Sequence, residues 1–559
     1  PFGAEYFVLT LHCQVQACRM DVSGVRTREE ERLCQCTSPD GGWKRWGPYV
    51  SDRQWGTCRE DYGVDGDSWS YLPFHLAHQV AYRWGEDGLA GFCDANQRMC
   101  ISLAVWNGSD SILKERLFGL ANAQGNHGED VKELYYYLDA TPTHSYLKML
   151  YKYPQSAFPY DDLIHENGQR GATDPEYELL DTGVFDGDRY FDIVVEYARV
   201  QEDDILLRVT AHNRGPCGAN LHLIPQLLFR NTWSWDKGGT DGERPRVERG
   251  PSQQEFLATD PSLGKFYVFS DVNTAIFCEN ETNVAGVAGG TGLSPFKPAV
   301  AGSPASRRDP HELPSDELEL GVEGSAAPAP ARARLYHASG HIGEGPYKDA
   351  VHNHVVADDV STATSGTKCG WHSEHFVPAG QCVVRCMRFT SVDLEKPSIP
   401  FSGFDEIFEL RRREADAFYG TLQQGIHSED RRRIHRQALA GMIWTKQFYN
   451  FDLQTFYDGD ERCDKPEAKR RKVRNGEWLH MRNCDIVSMP DKWEFPWYAT
   501  WDLAFHCIPL AHLDSTFAKG QLLLMTKEWY MHSSGQLPAY EWNFSDVNPP
   551  VHAWAAWRV

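Results

Sequence analysis

The residues best suited to chemistry gather in the stretch WEFPWYATWDLAFH, positions 493–506. Trp493, Phe495, Trp497, Tyr498 and Trp501 lead up to one carboxylate, Asp502, with Glu494 among them and His506 one helical turn further on. Protonating the leaving oxygen of a glycosidic bond takes a carboxylic acid that still holds its proton at working pH. An ordinary Asp is ionised there, but burial against indole rings disfavours the charge and raises the pKa. Asp502 is therefore the candidate general acid. A plain structural role has about equal weight, because Asp is a good N-cap for a helix running through LAFHCIPLAHL.

A second segment, GQLPAYEWNFSDVNPPVHAWA at 535–555, is polar, aromatic and stiffened by three prolines. Prolines pre-set the backbone and suit a rigid loop that touches a ligand. With Trp497, Tyr498, Trp501 and His506, its Gln536, Glu541, Trp542, Asn543 and Trp554 are the candidate substrate contacts. Flat aromatic faces match the C–H face of a pyranose. The competing reading is an ordinary connection between helices. A third segment, NAQGNHGEDVKELYYYLD at 122–139, collects Asn126, His127, Glu129, Asp130 and Lys132. It reads either as a loop reaching towards a pocket or as a solvated turn followed by a short helix.

Other chemistries find no support. DYGVDGDSW at 61–69 lacks the spacing and closing Glu of an EF-hand. His75 and His78 form HxxH rather than HExxH, and GHIGEG at 340–345 is a lone glycine-rich run. No phosphate-cradling GK[ST] loop and no GxSxG elbow occurs. No CxxC pair is present either, so neither a metal nor a cofactor is expected. The net charge of −22 argues against a nucleic-acid or anionic-membrane partner. The basic run KRRKVR at 469–474 reads as a solvated loop between two helices. The 15 cysteines mostly stand singly, as reduced thiols of a cytoplasmic protein do. No apolar run of about 18 residues spans a bilayer. The sequence starts at Pro1, which leaves a signal upstream open.

The elements that position these segments fall into two textures. Residues 1–42 read as a leader without clear periodicity. From 43 to 402, short stretches rich in β-branched and aromatic residues, such as DRYFDIVVEYARV, DILLRVTAHNRG and NLHLIPQLLFRNTWSW, alternate with turn residues. They predict an antiparallel β-sandwich, interrupted near 284–335 by a Gly/Ala/Pro/Ser-rich loop insertion. After Pro400 the period changes. FDEIFELRRREADAFYGTL predicts a helix within a linker at 403–427. Ser428 predicts an N-cap for a helix running towards RQALAGMIWTKQFY. Further helices are expected from near Asp502 and over 518–531, making 428–559 all-helical.

The 493–506 and 535–555 segments together resemble glycoside hydrolase family 63. RWGPYVSDRQWGTCREDY, YRWGEDGLAG and ILKERLFGLANAQGNHGEDVKE resemble a microbial subgroup of that family. The resemblance covers 43–559 and implies a β-sandwich followed by an (α/α)6 barrel. It implies an inverting glycosidase acting on α-linked glucosyl or mannosyl residues, with Asp502 as general acid and a carbohydrate as partner. The family's general base is a Glu further towards the C-terminus, which nothing here matches, and Glu541 is expected to touch substrate instead. The 132 residues from 428 to 559 are fewer than the roughly 200 that twelve short helices and their connections require. The barrel is thus expected to be incomplete, and the chain by itself poorly soluble and inactive. The alternatives are a carbohydrate-binding or catalytically silent homologue, or a glycoside phosphorylase.

Overall fold

A computed structural model describes residues 26–36, 42–50, 74–83, 88–120, 124–125, 130–233, 244–283, 346–392, 400–454, 480–492, 499–539 and 548–559. The loop insertion, the basic run, DYGVDGDSW and GHIGEG lie outside these residues. Nine α-helices occur among them: α1 Arg28–Gln35, α2 Phe74–Ala77, α3 Tyr160–Gln169, α4 Ala350–Ala357, α5 Phe404–Leu422, α6 Glu429–Trp444, α7 Thr500–Leu513, α8 Ser515–Leu524 and α9 Val551–Arg558. None is long and apolar enough to cross a membrane.

The β texture becomes two antiparallel sheets. The first orders its strands as Trp46–Gly47, Phe92–Asp94, Met99–Trp106, Ala219–Phe229, Lys368–Trp371 and Ala275–Cys278, and Ser373–Val377 also pairs with Ala219–Phe229. The second runs Ser365–Gly366, Arg246–Arg249, Glu255–Asp260, Gly264–Ser270, Cys382–Thr390, Asp204–Asn213, Tyr190–Gln201, Tyr146–Pro154 and Leu134–Ala140. Alternation explains the layering. Along Tyr190–Gln201, Phe191, Ile193, Val195 and Tyr197 point to one side and are fully buried. Rings from the two sheets meet across that core: Trp46 on Phe266 at 5.4 Å, Phe92 on Tyr197 at 4.7 Å and Phe256 on Trp371 at 5.2 Å.

Three expectations are corrected. Residues 130–131 and 134–140 are strands rather than a turn and short helix, because the aromatic run Tyr135–Tyr137 pairs with Tyr146–Pro154. The C-terminal part is not all-helical: Lys446–Asp452 and Arg482–Ser488 form a two-stranded hairpin. The helix foreseen over 518–531 is α8, Ser515–Leu524. Two helices match the expectation closely. Helix α5 spans the expected 19 residues, and Ser428 caps α6 by accepting from Arg431 N at 3.4 Å.

Residues 28–35, within the leader that shows no clear periodicity, form α1 behind a Thr27/Glu30 capping box. Its buried Glu29 accepts from Thr143 N at 2.8 Å and Ser145 Oγ at 2.8 Å, and Arg32 pairs with Glu414 of α5 at 2.5 Å. The helical part packs on the edge strand Leu134–Ala140. Tyr137 stacks on Trp444 at 4.9 Å, and Arg436 grips Asp139 with Nε at 2.9 Å and Nη2 at 2.5 Å. Tyr419 donates to Ala140 O at 2.6 Å. The hairpin is tied to the β part by Phe448 N to Tyr49 O, 3.0 Å.

Candidate functional site

Helix α7 carries the candidate acid. Its N-cap is Ala499, which makes no side-chain capping bond, and the helix begins at Thr500. Asp502 is therefore the third helical residue and not the cap. The simple capping role is excluded by position, while a carboxylate in the first turn still faces the positive end of the helix dipole. Burial is the larger influence on Asp502: it pushes the carboxyl above the usual Asp range, only partly offset by a hydrogen bond with its own backbone. The residue is half-buried and accessible.

One side of α7, formed by Leu503, Ala504, Cys507, Leu510 and Leu513, is buried. The other side exposes Trp501 (37%) and Phe505 (45%). Trp501 and Phe505 stand one turn apart, with ring centroids at 6.3 Å, and Phe505 meets Trp554 of α9 at 5.7 Å. Trp554 is itself 45% exposed. An accessible row of three aromatic rings thus runs beside Asp502. Sequence reasoning missed Phe505, although its i+4 spacing from Trp501 was visible.

His506 engages the protein's own frame. Its Nδ1 lies 3.0 Å from Ser488 Oγ, at the end of the hairpin, and burial pushes its pKa down to about 4. Gln521 of α8 holds the same strand end, accepting from Ser488 N at 2.9 Å and donating to Ile486 O at 2.8 Å. The hairpin, α7 and α8 therefore form one hydrogen-bonded unit that sets the direction of Asp502.

Gln536 sits in a tight turn, where its carbonyl accepts from His532 N at 3.0 Å. The adjoining Gly535 lines an open cleft of about 830 Å³ together with His480, Arg482, Asp485, Glu528, Trp529 and His532. Asp502 does not line that cleft, so the structure brings Trp501, Asp502, His506 and Trp554 together on α7 and α9 and sets Gln536 beside a separate cavity. The carboxylates of this cavity, Asp485 and Glu528, had no local signal, since 43 positions separate them. Trp497, Tyr498, Glu541, Trp542 and Asn543 lie outside the described residues.

Of the third segment, Lys132 is buried and pairs with Glu176 at 2.9 Å, Glu178 at 3.1 Å and Asp130. The oxygens of those three carboxylates lie within 4.8 Å of one another. The ammonium already occupies their centre, which makes the group an ion-pair network.

No protein-family model matches the chain. It is similar to "Uncharacterized protein YMR196W" of Saccharomyces cerevisiae, 42% identical over 559 residues, which cover 95% of this chain and 48% of the yeast protein. The chain thus spans about half the length of the curated relative it matches.

Proposed function

We propose that this protein is an inverting glycoside hydrolase acting on α-linked glucosyl or mannosyl residues, with Asp502 as the general acid and a cytoplasmic site of action. The observation that carries the reading is Asp502 itself: a half-buried carboxyl whose pKa desolvation raises above the usual Asp range, beside an accessible aromatic row. Protonated, its O–H donates to the departing glycosidic oxygen. Water then attacks the anomeric carbon from the opposite face, activated by a second carboxylate. Trp501, Phe505 and Trp554 offer stacking faces for the sugar rings. In the same reading α6 to α9 belong to an (α/α)6 barrel, in which a helix N-terminus exposes first-turn side chains to substrate.

The test is a screen of α-glucosides and α-mannosides on the intact protein, with product anomers followed by early proton NMR. First release of the β-anomer is expected. First release of the α-anomer would signal a double displacement and refute inversion. Carbohydrate binding without turnover is the second reading, since the aromatic row alone supports it. Saturable binding of an oligosaccharide that is never cleaved would favour that alternative.

A further inference from the structure

Helix α4 lies outside the main core. Its Val351 and Val355 pack on Ala104, Ile224 and Ile276 of the first sheet, in a cluster separate from the one between the sheets. Leu103, Val105, Leu223 and Phe277 belong to the main core, so strand alternation puts Ala104, Ile224 and Ile276 on the opposite face. A small satellite cluster of this kind can open without unfolding the rest.

Two histidines of α4 each meet a histidine of the body beneath. His352 stacks on His78, the residue after α2, with centroids at 4.1 Å and planes within 17°. His354 stands edge-on to His372 at 5.6 Å, and His372 Nε2 lies 2.8 Å from Nδ1 of His222 on the strand Ala219–Phe229. His78 Nδ1, His352 Nε2 and His354 Nδ1 are buried and make no hydrogen bond.

The surroundings offer these rings little help in carrying charge. Near His78 and His352 the acids are Glu115 and Asp349. Glu115 is bound by Lys368 at 2.9 Å, and Lys348 lines the same cavity as His78 and Glu115. At the other pair, the acids facing His222 are Glu374, with Oε1 at 3.9 Å from Nε2, and Asp358 at the end of α4. His375 and Arg385 add positive charge on that side. His222 can accept one proton on Nε2 and keep its bond to His372. A second proton would set two N–H donors against each other. Burial, reinforced by the neighbouring imidazoles, holds His78 down at about 3 and His372 at about 4. Burial also pushes His222 and His352 below the usual histidine range.

We propose that α4 is an acid-released latch: protonation of the His78–His352 and His222–His372 pairs lifts the helix from the first sheet and uncovers Ala104, Ile224 and Ile276, while the core between the sheets stays closed. A released histidine titrates at roughly 6.5. Below that pH the open form binds protons that the closed form does not. The latch is therefore tightest above about pH 6.5, and each such histidine favours opening by up to about tenfold per pH unit below it, until its value in the closed form is reached.

The test is amide hydrogen exchange of the intact protein, read by mass spectrometry at pH 7 and pH 5 and corrected for the intrinsic exchange rate at each pH. With His78 and His372 both contributing, protection of Ala350–Ala357 should fall about 100-fold more than that of the core strand Tyr190–Gln201. His78→Gln and His372→Gln stay neutral throughout, and each should shrink that difference about tenfold. Should His372→Gln fail to fold, His78→Gln and His352→Gln still decide the matter. The proposal is overturned if α4 loses no more protection than the core strand, or if these variants keep the wild-type pH dependence.

Discussion

The hydroxyl of Ser488 and the imidazole of His506 are joined at 3.0 Å, so the last residue of a hairpin strand fixes the helix that presents Asp502. Asp502 precedes His506 by four residues, one helical turn, and the bond therefore acts on the carboxylate through a rigid lever.

Breaking that bond tests the lever. Ser488→Ala leaves the half-buried His506 Nδ1 without its hydroxyl partner, at a stability cost of about 1 kcal/mol. If Ser488 positions the acid, kcat should fall more than KM changes in molecules that remain folded. An unchanged kcat, measured where circular dichroism shows full folding, would remove Ser488 from the positioning network.

Asp502→Asn is isosteric and cannot donate the acid proton. Turnover on a glycoside should drop by a factor on the order of 10² to 10⁴. The folded state should persist, because Asp502 is not the N-cap of α7. The alkaline limb of the pH–rate profile, which reports loss of the acid's proton, should vanish in the variant. Near-normal turnover with an unaltered profile would sink the assignment.

Acid should destabilise the protein through His506. Its pKa of about 4 in the fold lies below the roughly 6.5 of an unfolded histidine. Between those values the unfolded chain binds a proton that the folded chain does not. Stability from this group is therefore complete above about pH 6.5 and is lost as the pH falls towards 4, by up to about 1.4 kcal/mol per pH unit. Denaturant titrations at pH 7, 6 and 5 should show a shallower pH slope for His506→Gln than for the wild type. Equal slopes would mean that His506 is not buried as described.

The junction between β and helical parts rests on Arg436 and Asp139, joined through both carboxylate oxygens. Removing one partner of a buried pair strands the other charge. Arg436→Met should cost about 3 to 5 kcal/mol, and adding Asp139→Asn should restore part of that. Thermal unfolding of the single and double variants measures the coupling, and purely additive losses would argue against it.

Periodicity and capping chemistry were local enough to read directly. Alternating apolar residues announced Tyr190–Gln201 and Asp204–Asn213. Ser428 announced α6, and the charged, glycine-free run announced α5. The aromatic company of Asp502 was likewise visible as residue types. What the sequence could not reveal depends on partners distant along the chain. Lys446–Asp452 looked like the tail of a helix, because its strand partner Arg482–Ser488 begins 30 positions after that strand ends. Its burial comes from that pairing rather than from its own pattern. The helix through Asp502 could be foreseen, but its start at Thr500 could not, and that start separates an N-cap from an exposed first-turn acid. The meeting of Phe505 with Trp554, and of His222 with His372 and His354, is also tertiary. Sequence determines which side chains are available and their local period. Only packing decides which of them come within a few ångströms and lose the water that sets their pKa.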